Sequence, residues 1–94
     1  MTTTVANNPD KSRYEILIDG DLVGVAVYEL GENSINFVHT QVETDIREKG
    51  LGGNLVQHAL DDVREGSSAR VIATCPFVTR WISEHPDYQD LLTR

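Results

Sequence analysis

The stretch "SINFVHTQVETDIREKGLGGNLVQHALDDV", Ser34 to Val63, changes its period halfway along and so decides the fold. Over Ser34–Val42 apolar and polar residues alternate, with Ile35 and Phe37 on one face, the pattern of a half-buried strand. From Leu51 onward Leu55, Val56, Ala59, Leu60 and Val63 recur at helical spacing. Asn54, Gln57, His58, Asp61, Asp62 and Glu65 fall on the opposite side. Between the two lies the turn Arg47-Glu48-Lys49-Gly50-Leu51-Gly52-Gly53. If another strand follows the helix, the unit is a right-handed crossover that pairs its two strands in parallel.

Working outward, such a strand does follow. "ARVIATC" (Ala69–Cys75) comes after the helix stop Gly66-Ser67-Ser68 and is almost wholly apolar, as expected of a strand covered on both faces. "PFVTRWISEH" then opens with Pro76 at a first helical position and stops before Pro86. The remaining "DYQDLLTR" reads as a final helical turn. Upstream, "RYEILID" alternates with Tyr14, Ile16 and Ile18 on one face, and Asp19-Gly20 signals a tight hairpin into "LVGVAVYEL". "GEN" (Gly31–Asn33) turns that strand into Ser34–Val42. The expected fold is therefore α+β, in the order β-β-β-α-β-α. Three antiparallel strands and one parallel strand form a mixed sheet with helices packed on it. Residues 1–12 are polar and are expected to be a flexible tail, leaving 13–94 as a single domain.

Composition narrows the function. Ninety-four residues suffice for one core. Eight Lys/Arg against fifteen Asp/Glu give a net charge of −7, which argues against nucleic acid and anionic membrane as partners. The single cysteine, Cys75, excludes an internal disulfide. No apolar run approaches the length of a membrane span, and the start "MTTTVANNPDKS" lacks a signal-peptide layout, so a cytoplasmic protein is expected. Neither His58 nor His85 has a metal-ligand partner at useful spacing, so no metal is expected.

The glycine turn has two readings on its residues alone. One is a tight turn with solvated charges. The other is an anion site: glycines let backbone N–H groups converge, the helix end adds about half a positive charge, and Arg47 and Lys49 rim the concavity. On that second reading Gly52 is glycine because a side chain would block a phosphate.

Three motifs then occur in order. They are His39-Thr40-Gln41-Val42, Arg47-x-x-Gly50-x-Gly52, and Cys75-Pro76-Phe77-Val78 followed by His85-Pro86-Asp87-Tyr88. Together they resemble the small single-domain branch of the GNAT superfamily of acetyl-CoA-dependent acyltransferases, over roughly Tyr14 to Leu92. The resemblance implies that acetyl-CoA is the co-substrate and an amine the acceptor, with a protein amine among the candidates. It implies that the backbone of Glu48, Lys49, Gly50, Leu51, Gly52 and Gly53 cradles the pyrophosphate, with Arg47 at its rim. Thr40, Gln41 and Val42 would pair with the pantetheine arm, and Pro76 and Phe77 would flank it. The strand ending at Cys75 would splay from its neighbour and leave the thioester between His39 and Cys75.

His39 is expected on the face of Ile35 and Phe37 unless a bulge intervenes. There it is either a structural residue or, beside a thioester, a general base. Cys75 is either a small buried hydrophobe or a thiolate at a helix N-terminus that accepts acetyl in a covalent relay. Trp81, Phe77 and Val78 read as core or cofactor wall, and Asp61, Asp62 and Glu65 as a solvated face. The chain lacks the two helices that longer members place between their first strands, and it has Trp81 and Ile82 where many carry a tyrosine that protonates the leaving thiolate. The acceptor surface is then open, and a non-catalytic coenzyme A binding module, a sensor or carrier, stands as the alternative. A monomer or weak dimer is expected.

Overall fold

The structure, a computed structural model, describes residues 2–43 and 50–94. Arg47, Glu48 and Lys49 of the glycine turn lie outside the described residues.

Among the described residues five strands form one sheet in sequence order: β1 (Thr3–Asn8), β2 (Arg13–Ile18), β3 (Asp21–Gly31), β4 (Ser34–Val42) and β5 (Arg70–Ala73). The first four pair antiparallel, and β5 pairs parallel to β4. Between them lies α1 (Leu51–Gly66), and α2 (Pro76–Ser83) follows β5. The expected mixed sheet is present with one more strand than the periodicity indicated.

That strand corrects the expected tail. Thr3 to Asn8 pair with Ile18 to Arg13, and a 3-10 turn over Pro9–Lys11 leads into β2. The strand is polar because it is an edge strand with one open side. Only Val5 packs against the core, while Asn7 accepts the Tyr28 hydroxyl at 2.8 Å. The β2–β3 hairpin turns as expected: Asp19 and Gly20 both take positive φ, 51° and 87°, which a two-residue turn of this hand requires.

Both helices lie on one face of the sheet. Leu55, Val56, Ala59 and Leu60 of α1, with Val78 and Ile82 of α2, meet Tyr14, Ile16, Ala26, Ile35 and Phe37 in a single core. The rings of Tyr14, Tyr28 and Phe37 cluster with centroids 5.6–6.2 Å apart. Among the described residues nothing packs over the opposite face, where Leu22 and Ile72 are exposed. This corrects the reading of β5 as covered on both faces. It is an edge strand, with Val71 buried and Ile72 turned to solvent.

The C-terminal segment is more than a helical turn. A 3-10 helix over Pro86–Thr93 buries Leu91 completely. Tyr88 donates to Asp61 at 2.8 Å, and the Arg64 guanidinium grips both Asp90 carboxylate oxygens at 2.8 Å. Arg94 donates to the carbonyls of Arg64, Ser67 and Ala69, where the last turn of α1 has acceptors to spare. The acidic face of α1 is correspondingly not just solvated. Asp61 serves Tyr88, and Asp62 accepts the buried Tyr14 hydroxyl at 2.5 Å.

Candidate functional site

The parallel pair β4–β5 holds only from Ser34↔Arg70 to Phe37↔Ala73. Beyond it the Phe37 carbonyl takes the N–H groups of both Thr74 and Cys75, at 3.1 and 3.0 Å. Pro76 then starts α2 with Cys75 as its N-cap. β4 runs on through Val38–Val42, still paired to β3 but no longer to β5. A gap thus opens between β4 and the edge strand β5. Its cause is local, since a chain that enters a helix at proline has left the strand path.

A β-bulge sits at the mouth of this gap. Val27 pairs with His39 and Tyr28 with Phe37, so Val38 is the extra residue. The bulge shifts the alternation by one. Thr40, opposite the fully buried Ala26, turns toward the helices, and His39 lies exposed on the uncovered face. The expected placement of His39 beside Ile35 and Phe37 is therefore overturned. No hydrogen bond joins His39 to Cys75 among the described residues; Thr40 takes that position, with its Oγ1 3.5 Å from the Cys75 Sγ.

Cys75 is buried, and burial pushes its thiol up. The Thr40 hydroxyl and the N–H groups of Val78, Phe77 and Thr40 outweigh that, leaving the thiol below its ordinary value. Gln41 faces solvent, whereas Val42 packs against the core.

The second part of the site is the start of α1. Gly50 has φ +81° and receives the Asn54 N–H on its carbonyl at 2.8 Å. The N–H groups of Leu51, Gly52 and Gly53 consequently have no partner inside the helix. No side chain caps this end and its first turn has no acidic residue, so its positive dipole end is left uncompensated by the described residues. Gly50 is the residue whose backbone requires glycine.

Gly52 and Gly53 have a further reason to be glycine, beside the clearance for phosphate expected at Gly52. A Cβ on Gly52 would meet Phe77 Cζ at 2.7 Å, and one on Gly53 would meet Trp81 Nε1 at 3.3 Å. They let α2 lie across the first turn of α1. Phe77, 44% exposed, forms a wall there, next to Pro76, while Val78 and Trp81 are core. The spacing of Phe77 and Trp81 along α2 was the available signal, since two bulky side chains one turn apart need two small partners.

The remaining candidates play other parts. His85 stacks on Trp81 at 3.8 Å and its Nδ1 lies 2.6 Å from the Trp81 carbonyl, a capping role. His58 is exposed. Arg80 lies in solvent 3.8 Å from Glu84. Among the described residues no group of His, Cys, Asp or Glu is placed to hold a metal ion, and no helix is long and apolar enough to cross a membrane.

Comparison with known proteins agrees with this geometry. The solution NMR structure of a GCN5-like protein from Staphylococcus aureus superposes with a TM-score of 0.71 at 22% identity, covering 94% of this chain and 85% of that one. The crystal structure of ribosomal-protein-alanine N-acetyltransferase from Brucella melitensis biovar Abortus 2308 gives 0.57 at 23% identity, covering 80% of this chain, which spans 59% of the length of that enzyme. At these identities both likenesses speak for the fold. No curated protein matches. A family model described as GCN5-related N-acetyl-transferase matches residues 13–91, from the start of β2 to the buried Leu91, and the chain belongs to that family.

Proposed function

We propose that the protein transfers the acetyl group of acetyl-CoA to an amine, and that the acceptor is a protein amine or another cationic amine reaching the thioester from the uncovered face of the sheet. The observation that carries this reading is the gap beyond Phe37↔Ala73 beside a helix end whose first N–H groups have no partner inside the helix. The first suits an extended pantetheine arm and the second a pyrophosphate. The three ordered motifs and the net charge of −7 support the same reading.

In this mechanism the backbone amides of Leu51, Gly52 and Gly53 hold the pyrophosphate, with Arg47, Glu48, Lys49 and Gly50 completing the turn. The backbone of Thr40–Val42 pairs with the arm where β5 has departed, and Pro76 and Phe77 flank it. His39, on the open face, accepts the proton of the incoming amine as nitrogen attacks the thioester carbonyl. The carbon–sulfur bond then breaks, and coenzyme A leaves as a thiolate that takes up the proton His39 received.

The depressed thiol of Cys75 at a helix N-cap favours a second route to the same product. There the Cys75 thiolate attacks first and coenzyme A leaves as its thiolate; the amine then attacks the acetyl carbonyl, the Cys75 thiolate leaves, and the amine's proton passes through His39 to the coenzyme A thiolate.

Calorimetric titration with coenzyme A, then thiol release from acetyl-CoA with pooled amines, tests the proposal. Binding, turnover with the wild type, and a fall of about 10²-fold or more in His39→Ala are expected. Absence of binding at millimolar ligand would refute the site. Binding without turnover would leave the alternative, a coenzyme A sensor or carrier. Intact mass after exposure to acetyl-CoA distinguishes the routes: the relay requires an acetyl adduct that Cys75→Ala abolishes.

A further inference from the structure

The Val38 bulge has a chemical result beyond turning His39 outward. It brings a hydroxyl to the only thiol in the chain. We propose that Thr40 is a positioning residue for Cys75, its hydroxyl holding the sulfur at the apex of the gap between β4 and β5. The proposal deepens the relay reading above and rests on Cys75 taking part in it.

Three observations support it. The Thr40 side chain enters the helix-covered side only because Val38 is extra; in a regular strand that side would receive His39. Ala26, directly opposite Thr40 on β3, is apolar and fully buried, so β3 offers that hydroxyl no side-chain partner. The Cys75 sulfur, 3.5 Å away, is a partner in either protonation state: the S–H donates to Thr40 Oγ1, and a thiolate accepts from it.

The sulfur is thereby held from β4 through Thr40, at the N-cap of α2, whose first N–H groups favour its thiolate. Charged groups on the surrounding elements are turned elsewhere. His39 of β4 faces the other side of the sheet, Arg80 of α2 lies in solvent near Glu84, and the first turn of α1 has no acidic residue. Thr40 is then the side chain that decides where the sulfur rests and how readily it ionises.

The test reads Cys75 alone, because it is the sole cysteine. The pH dependence of thiolate ultraviolet absorbance, with Cys75→Ala as the blank, is measured for wild type, Thr40→Val and Thr40→Ser, alongside thermal melts. Thr40→Val is expected to move the midpoint upward, with about fivefold less thiolate at neutral pH, and Thr40→Ser to restore the wild-type midpoint. A merely structural threonine would shift the melts and leave the midpoint in place, which would overturn the proposal. If Thr40→Val does not fold, Thr40→Ala against Thr40→Ser makes the same comparison. The readout needs no acetyl-CoA. An absent acetyl adduct with a shifted midpoint removes the relay but not the contact, and an unshifted midpoint removes the contact whatever the activity.

Discussion

Replacing Gly52 by alanine separates two explanations of the same glycine. The added Cβ would stand 2.7 Å from Phe77 Cζ, whereas carbon atoms pack at about 3.5–4.0 Å, so the ring must retreat by roughly 1 Å. Phe77 is 44% exposed, so its ring can swing into solvent rather than jam. An off-rotamer ring costs about 0.5–1.5 kcal/mol and full release of its buried part up to ~3 kcal/mol. Alanine in place of glycine within a helix returns about 0.5–1 kcal/mol. Gly52→Ala alone should therefore destabilise by about 0–2 kcal/mol, while in a Phe77→Ala background it should stabilise by about 0.5–1 kcal/mol. Urea denaturation of the four proteins in this cycle gives a coupling of roughly 0.5–3 kcal/mol if the ring is the reason. Additivity within about 0.3 kcal/mol would refute it. Coenzyme A titration of the same four proteins completes the test. If position 52 matters only through Phe77, the substitution weakens binding beside Phe77 and has no further effect once the ring is gone. A tenfold loss in both backgrounds would assign Gly52 the role of phosphate clearance.

Two further outcomes follow from the core. Leu91→Ala, at a fully buried position in the 3-10 segment, should cost about 2–5 kcal/mol in chemical denaturation; a loss below about 0.5 kcal/mol would mean that this segment is not docked. Burial, followed by the hydrogen bond to Asp62, holds the Tyr14 hydroxyl far above the usual phenol range. A raised folded value means the contribution is complete below the unfolded phenol value and is lost as pH climbs past about 10. The urea midpoint should fall there, and Tyr14→Phe should flatten that fall; parallel curves for the two proteins would contradict the assignment.

Much of this architecture is legible from period alone. The alternation in Arg13–Asp19 and Ser34–Val42, the Asp19-Gly20 turn and the helical spacing from Leu51 to Val63 each point to the element that forms. β1 is not legible in that way, because an edge strand buries little: Thr3, Thr4, Asn7 and Asn8 pair through backbone atoms, which composition does not record. Polarity misleads likewise at Asp61 and Asp62, whose carboxylates look solvated until tyrosines distant in sequence reach them. At the site, Cys75 as an N-cap and the break between β4 and β5 follow from Pro76 and are readable. The facing of His39 and Thr40 is not, since a bulge depends on pairing with β3 rather than on residue types in β4.

That bulge also bears on how relatives of this chain are compared. Two consecutive residues, His39 and Thr40, occupy opposite sides of the sheet, and the single residue Val38 decides which takes which side. A relative that keeps both residues but lacks one position just before them would preserve the motif in text and invert it in space. Its imidazole would lie against the helices and its hydroxyl in the solvent. Spelling would then be a poor guide to chemistry along this strand, and the count of residues back to the Phe37 equivalent a better one.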